Sequence, residues 1–154
     1  MRSELDHIKA YVFIQNKRFD DGITLEIDVN EKYLDYQLPK LLLQPIVENA
    51  IMHGILELPD PVGTIWVQVR EDGNALWLSI RDNGVGLTES ENEPVMRDTP
   101  DDTAVVIKTG YGLKNIDDRI KLAFGNEYGL ELRNNENGRG AEALLRLPCL
   151  ESKR

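Results

Sequence analysis

The stretch Leu41-Leu-Leu-Gln-Pro-Ile-Val-Glu-Asn-Ala-Ile-Met-His-Gly54 places three polar side chains beyond Gln44 in an otherwise apolar segment. Its apolar residues cover most of a helical circumference, so we predict a largely buried helix from Pro39 to about Ile55. Pro45 removes one backbone hydrogen bond, which predicts either a kink or a short leading helix that restarts there. Polar residues on such a helix must find partners or face a cavity.

The three polar residues are Glu48, Asn49 and His53. Burying a carboxylate or an amide without a partner is costly. Asn49 and His53 lie four residues apart on one helical face and Glu48 is a fraction of a turn away, so all three can point into one opening. A carboxylate can orient or deprotonate an attacking group, and an amide oxygen suits Mg²⁺. Alternatively, each hydrogen-bonds to neighbouring backbone and has no further role.

A second motif, Asp82-Asn-Gly-Val-Gly-Leu87, directly follows a predicted strand. Gly84 and Gly86 allow a backbone turn and the close approach of a flat ring. A buried aspartate can accept a hydrogen bond from an exocyclic amine. The same residues also describe a simple turn, so this motif indicates a ligand site only in combination with others.

A third motif, Gly110-Tyr-Gly-Leu-Lys-Asn115, opens a predicted helix. Its unpaired backbone N–H groups and the positive end of the helix dipole would face an anion such as a phosphate. A Gly-x-Gly pair is equally a strain-free way for a loop to become a helix. The chain has no Rossmann or Walker-type glycine pattern, so the common nucleotide-binding folds are not indicated.

Hydrophobic periodicity outside these motifs predicts an α+β, two-layer sandwich with a mixed, mostly antiparallel sheet and helices on one face. The segment between the second and third motifs is acidic and lacks sustained periodicity, which predicts a long lid or, alternatively, a surface insertion. The predicted helices are 5–18 and 111–123, and the predicted strands are 23–29, 64–70, 75–81, 129–133 and 141–148.

Composition bounds the class of protein. The 154 residues suffice for one domain, and no apolar run is long enough for a membrane helix. The formal charge of −9 would repel a phosphate backbone, which argues against nucleic acid as a partner. The first ten residues lack a signal-peptide core, and the single cysteine, Cys149, cannot form an internal disulfide, so we expect a cytoplasmic location.

Taken in this order, the three motifs resemble the N, G1 and G2 boxes of the gyrase, heat-shock chaperone, histidine kinase and MutL ATPase superfamily, which has the Bergerat fold. Together with Glu4-Leu5, Tyr11 and Arg18-Phe19, they resemble the LytS-type sensor histidine kinases in particular. The resemblance spans nearly the whole chain. It implies ATP and Mg²⁺ as cofactors and transfer of the ATP γ-phosphoryl group to a histidine on a separate helical domain.

The resemblance also implies individual roles. Glu48 would be catalytic, orienting or activating the acceptor histidine; Asn49 would bind Mg²⁺; and Asp82 would accept a hydrogen bond from the adenine amino group. The other ATP-binding residues it implies are His53 near the phosphates, Gly84, Gly86 and Leu87 at the adenine pocket, and Gly110, Tyr111, Gly112, Leu113 and Asn115 on the phosphate side. Three nearby cations have weaker claims to the phosphates: Lys108, Lys114 and Arg119.

By the same resemblance, residues 1–20 lead in from a phosphoacceptor and dimerisation domain outside this stretch, 21–150 form the catalytic domain with a lid at 87–110, and 151–154 are a tail. The implied partners are ATP, that phosphoacceptor domain and a response regulator, with the membrane reached only through N-terminal segments of the full-length protein. Two features depart from the family: the lid is acidic, and His7 lacks a phosphoacceptor motif around it, so we interpret His7 as a surface residue.

Two alternatives remain open. A serine kinase of the anti-sigma-factor kind shares the three boxes, although the helix from Glu4 to Phe19 argues against it. A nucleotide-responsive binding module would use ATP to order the lid for a partner without phosphoryl transfer. Gyrase and MutL relatives need a second domain that supplies a lysine to the γ-phosphate, and 154 residues leave no room for one.

Overall fold

The computed structural model describes residues 1–87 and 111–149. The predicted lid lies almost wholly outside these residues, as does the tail. Three α-helices and five strands make up the described part, with short 3₁₀ and π segments between them. In chain order they are α1 (Arg2–Arg18), β1 (Ile23–Asp28), α2 (Gln44–Asn49), β2 (Gly63–Asp72), β3 (Ala75–Asp82), α3 (Tyr111–Phe124), β4 (Gly129–Asn134) and β5 (Ala141–Pro148).

The five strands form one sheet in the order β1-β2-β3-β5-β4. β1 pairs with β2 in parallel, and the other neighbours are antiparallel. The β2–β3 hairpin turns at Gly73, whose φ of +60° suits glycine. The last hairpin adds β5 beside β3, which leaves β4 at the edge. This mixed, mostly antiparallel sheet confirms the predicted sheet type.

Alternate side chains of the strands enter one core between the sheet and the helices. Ile65 and Val67 on β2 and Leu78 and Ile80 on β3 are buried, whereas their sequence neighbours face the other side of the sheet. Within residues 1–87 and 111–149 the helices cover this one face, and the predicted two-layer α+β sandwich is confirmed. In the part of the chain that the structure describes, no helix is both long and apolar enough to cross a membrane.

Helix α1 packs on this core through Leu5, Ile8 and Val12. Tyr11 is half-buried against the same cluster. Ile14 is 57% exposed, because position 14 lies off the stripe defined by positions 5, 8 and 12.

The long helix predicted from Pro39 begins at Gln44 instead. Residues 40–43 form a turn in which Leu41 has a φ of +56°, outside the helical region. Pro45 lies in the first turn of α2, where its missing N–H costs nothing; a turn precedes this helix, so neither the kink nor the short leading helix that we predicted is present. Beyond Asn49 the helix continues as a π segment, Ala50–Gly54, and a 3₁₀ turn, Ile55–Glu57.

Candidate functional site

An open cavity of about 570 Å³ lies between the helical segment 44–57 and the start of α3. Its volume is in the range of small-molecule sites. Residues of the first and third motifs line it from opposite sides. The lining residues are Pro45, Glu48, Asn49, Met52, His53, Glu57, Gly112 and Leu113.

The polar residues of the first motif face this cavity. Glu48 and His53 are exposed and Asn49 is half-buried, while Val47 and Ile51 of the same segment are fully buried on the opposite side. Of the two alternatives for these side chains, the structure therefore has the one in which they face a cavity. The π segment includes His53. Such widened turns are rare in proteins, but where they occur they often lie at functional sites.

Across the cavity, α3 begins with the third motif. A Cβ atom added at Gly112 would meet no atom within 4 Å, so the glycine leaves open space at the helix start. Leu113 is buried and anchors this end of the helix in the core. Backbone N–H groups at the first turn of a helix have no intrahelical partner. The arrangement can therefore hold an anion between the start of α3 and the polar side chains of the first motif.

Asp82, the last residue of β3, is 5% exposed and lies on the helix-covered side of the sheet. Its Oδ1 accepts a hydrogen bond of 2.8 Å from the N–H of Gly84. Burial raises the pKa of Asp82 from 3.8 to about 6, and the backbone N–H groups of Gly84 and Ala141 offset part of that rise. The carboxyl is mostly ionised at neutral pH and can accept a hydrogen bond from an amine.

The turn after Asp82 packs against the end of the first motif. A Cβ atom at Gly84 would lie 2.2 Å from the backbone carbonyl carbon of Gly54, and one at Gly54 would lie 2.9 Å from Oδ1 of Asp82. The N–H of Val85 also donates to the carbonyl oxygen of Gly54 at 3.2 Å. Gly84 therefore lets two backbones touch at the turn, and its role at a flat ring stays a prediction. Gly86 has a φ of +80° and makes the turn itself.

The turn between β4 and β5 supports the same region, and sequence reasoning missed it. Oδ1 of Asn134 accepts a 2.7 Å hydrogen bond from the N–H of Leu87, and Nδ2 of Asn135 donates to the carbonyl oxygen of Asp82 at 2.6 Å. A Cβ atom at Gly140, where φ is +81°, would lie 2.0 Å from that same carbonyl oxygen. The local pattern Asn134-Asn-Glu-Asn-Gly138 indicates only a hairpin turn, so no local signal pointed to this support.

Other predicted site residues either lie outside the described residues or do not line the cavity. Gly110 and Lys108 lie outside the described residues, as does the side chain of Tyr111. Asn115 and Lys114 are exposed on α3 and are not among the residues that line the cavity. The guanidinium of Arg119 donates to the carbonyl oxygen of Lys40 at 2.7 Å, so its role here is to tie α3 to the turn before α2.

Other surface features of the described residues fit a ligand less well. Two depressions of about 360 and 480 Å³ lie on the uncovered face of the sheet, opposite Asp82. Side chains paired with each other line them, including Arg133 with Glu142 at 2.6 Å and Arg81 stacked on Trp66. Within residues 1–87 and 111–149, no cluster of three or more His, Cys, Asp or Glu side chains could hold a metal ion.

Comparison with known proteins decides the family. Residues 34–151 match the family described as histidine kinase-, DNA gyrase B- and HSP90-like ATPases. The chain belongs to this family. The match covers most of the chain and includes all three motifs, so the resemblance inferred from them is confirmed.

Curated relatives are sensor kinases. The chain is 33% identical to sensor histidine kinase BtsS of Escherichia coli (strain K12), over 86% of this chain and 21% of that protein. It is 31% identical to the sensor protein LytS of Oceanobacillus iheyensis, over 94% of this chain and 24% of that protein. The chain thus spans about a fifth to a quarter of the length of these relatives. Over this part it is similar to the sensor kinases, and its family match identifies this part as an ATPase domain.

Solved structures agree on the fold. The histidine kinase ThkA, determined in complex with the response regulator protein TrrA, aligns with a TM-score of 0.68 at 16% identity, over 100% of this chain and 42% of that one. At this identity the likeness concerns the fold alone.

Proposed function

We propose that this domain binds Mg²⁺-ATP in the cavity between the segment 44–57 and α3, and transfers the γ-phosphoryl group to a histidine on a separate helical domain. One observation carries the proposal: the cavity brings Glu48 and Asn49 opposite Gly112 at the helix start, with buried Asp82 behind Gly54. The cavity supplies an anion site and an amide ligand, and Asp82, which does not line it, supplies an amine acceptor beside Gly54, the residue after His53.

Each group would act by its own chemistry. Asn49 would offer its amide oxygen to Mg²⁺, which commonly takes few protein ligands and completes its shell with waters and phosphate oxygens. The residues present fit such an ion, because a half-buried amide faces an open cavity large enough for the phosphates. Bound Mg²⁺ would neutralise charge on the transferring phosphoryl group. The N–H groups at the start of α3 would hold the phosphates.

Asp82 and Glu48 would act at the two ends of the nucleotide. The carboxylate of Asp82 would accept a hydrogen bond from the adenine amino group, held in place by Gly84 on one side and Ala141 on the other. Glu48, exposed at the cavity, would orient or deprotonate the incoming histidine. Gly86 and Leu87 would shape the adenine pocket, and His53 would lie near the phosphates. Catalysis would thus rest on positioning and charge neutralisation.

The partners follow from the same proposal. The acceptor histidine would belong to a phosphoacceptor domain of the same kinase, upstream of α1, and the phosphoryl group would pass to a response regulator. The domain would work on the cytoplasmic side of a kinase anchored in the membrane by segments outside this stretch. His7 is exposed on α1 and is not among the residues that line the cavity, so we do not assign it the acceptor role.

Calorimetric titration with a non-hydrolysable ATP analogue, with and without Mg²⁺, tests binding. We expect Mg²⁺-dependent binding that weakens about tenfold or more in Asp82→Asn, because a hydrogen bond to a charged group contributes roughly 1.5–3 kcal/mol. Asn49→Asp should also bind more weakly. If both variants remain folded and bind as the parent does, the site lies elsewhere.

Phosphoryl transfer needs a second experiment. Mixing the chain with a histidine-containing helical domain and ATP should yield an acid-labile, base-stable phosphoprotein. An acid-stable product would indicate the serine kinase alternative, and nucleotide binding without any product would indicate the binding-module alternative.

A further inference from the structure

Glu4 is a buried carboxylate whose partners lie far along the chain. Its Oε1 accepts a hydrogen bond from the N–H of Leu41 at 2.7 Å, and its Oε2 accepts from Leu42 at 2.8 Å and Leu43 at 3.1 Å. The residue is only 5% exposed. Three backbone donors therefore converge on one charged group supplied by another helix, and charge-assisted hydrogen bonds of this kind are the stronger ones.

These donors immediately precede the helix that carries the first motif. The first N–H groups of a helix need partners, and the N-cap of α2, Leu43, has no side chain that can supply one. Glu4 accepts from Leu43 itself and from the two residues before it, so it fixes from α1 the turn that leads into α2. Holding this turn also fixes where the helix begins.

The same turn is held from the other side of the cavity. Arg119 of α3 donates to the carbonyl oxygen of Lys40 at 2.7 Å. The turn 40–43 is therefore tied to α1 through its N–H groups and to α3 through one carbonyl. Helices α1 and α3 both contact α2 and are thereby tied to the turn that leads into it.

Helix α1 also lies near one cavity side chain, Glu48. Burial, and next the negative charge of Glu48, raise the pKa of the Tyr11 hydroxyl above its ordinary value. Tyr11 lies two helical turns beyond Glu4 on α1 and packs half-buried against the core. One helix thus contacts the start of α2 and lies near the carboxylate that α2 presents to the cavity.

We propose that Glu4 is a positioning residue for the nucleotide site: by fixing residues 41–43 from α1, it sets where α2 presents Glu48 and Asn49 to the cavity. The proposal rests on the proposed function for its ligand, Mg²⁺-ATP. It makes the geometry of the site depend on how α1 is seated, although Glu4 lines no part of the cavity. Small displacements matter, since a misplacement of about 1 Å can cost about a hundredfold in rate.

The test compares Glu4→Ala with a matched control, Asn16→Ala. Asn16 ties the other end of α1 to β1: its Nδ2 donates to the carbonyl oxygen of Ile23 at 2.7 Å, and its Oδ1 accepts from the N–H of Ile23 at 2.9 Å. Both variants loosen α1, but only the first releases the turn before α2. Affinity for Mg²⁺ and the ATP analogue is measured by calorimetry, and stability by urea unfolding.

We expect Glu4→Ala to bind the nucleotide about tenfold more weakly, which corresponds to about 1.4 kcal/mol, while Asn16→Ala binds as the parent does. Glu4→Gln keeps one acceptor oxygen and should fall between the parent and Glu4→Ala. Unchanged affinity in Glu4→Ala would overturn the proposal. An equal loss in Asn16→Ala would overturn it too, because general loosening of α1 would then explain both.

Hydrogen exchange of the backbone amides separates this proposal from the proposed function. Glu4→Ala should speed exchange selectively at residues 41–49, with or without nucleotide, and Asn16→Ala should not. A parent that binds no Mg²⁺-ATP would refute the proposed function, yet this measurement would still decide whether Glu4 positions α2. Exchange in Glu4→Ala that is unchanged, or faster throughout the chain, would overturn the role of Glu4.

Discussion

Replacing Asp82 by Asn should change how the stability of the fold depends on pH. In the folded chain, burial raises the pKa of this carboxyl from 3.8 to about 6. Between these values the folded state holds a proton that the unfolded state has released. The parent therefore loses stability as pH rises through this window, and the full cost of the buried charge is present above about pH 6.

The size of the effect follows from the pKa shift. The rise from 3.8 to about 6 is about 2 pH units, and each unit corresponds to about 1.4 kcal/mol, so the charge costs about 3 kcal/mol at neutral pH. Asn does not titrate. Its amide oxygen can still accept from the N–H of Gly84, while its amide group faces the N–H of Ala141. Changes in these hydrogen bonds do not vary with pH, so they shift the unfolding free energy equally at every pH.

The assay is urea unfolding, followed through the fluorescence of Trp66 and Trp77, at pH values from about 4 to about 8. The measured quantity is the unfolding free energy of Asp82→Asn minus that of the parent. We expect this difference to rise by about 3 kcal/mol from about pH 4 to about pH 7 and then to level off. A difference that stays constant with pH would refute the reasoning, because Asp82 would then titrate alike in both states.

The affinity for nucleotide should depend on pH in the opposite direction to stability. The parent should bind the ATP analogue more weakly as pH falls below about 6, because a protonated Asp82 is a poorer acceptor for the adenine amine. Asp82→Asn should bind weakly throughout and lack this pH dependence. The charge on Asp82 would then lower the stability of the fold and strengthen nucleotide binding.

Gly84→Ala should destabilise the fold by about 3 kcal/mol in urea unfolding, since its Cβ atom would lie 2.2 Å from the backbone of Gly54. Near-parental stability would show that the two backbones can move apart at little cost. Gly112→Ala should leave stability within about 1 kcal/mol of the parent and weaken binding of the ATP analogue in calorimetry, because its methyl group enters open space at the proposed phosphate site. Asn49→Ala should make that binding insensitive to Mg²⁺, so retained enhancement by the ion would exclude Asn49 as its ligand. His7→Ala should not alter label transfer from radioactive ATP to a histidine-containing partner domain, and stable label on His7 in the parent would contradict our reading of it.

The sequence alone located the elements whose patterns are local. The alternating strands came close to their observed bounds, as in 64–70 against Gly63–Asp72 and 75–81 against Ala75–Asp82. Side chains alternate across a strand whatever its neighbours are, so this pattern can be read without knowing the fold. The three motifs likewise predicted the family, since each is a contiguous run of residues.

Tertiary structure decided what depends on contacts between distant segments. The predicted helix began five residues too early because the N–H groups of Leu41 to Leu43 bond to Glu4, about 37 residues back along the chain. Gly84 touches Gly54, and Asn135 supports Asp82, across separations that no local pattern encodes. Periodicity and turn chemistry are properties of neighbouring residues, whereas the partners of a buried polar group are chosen by whichever segments the folded core brings together.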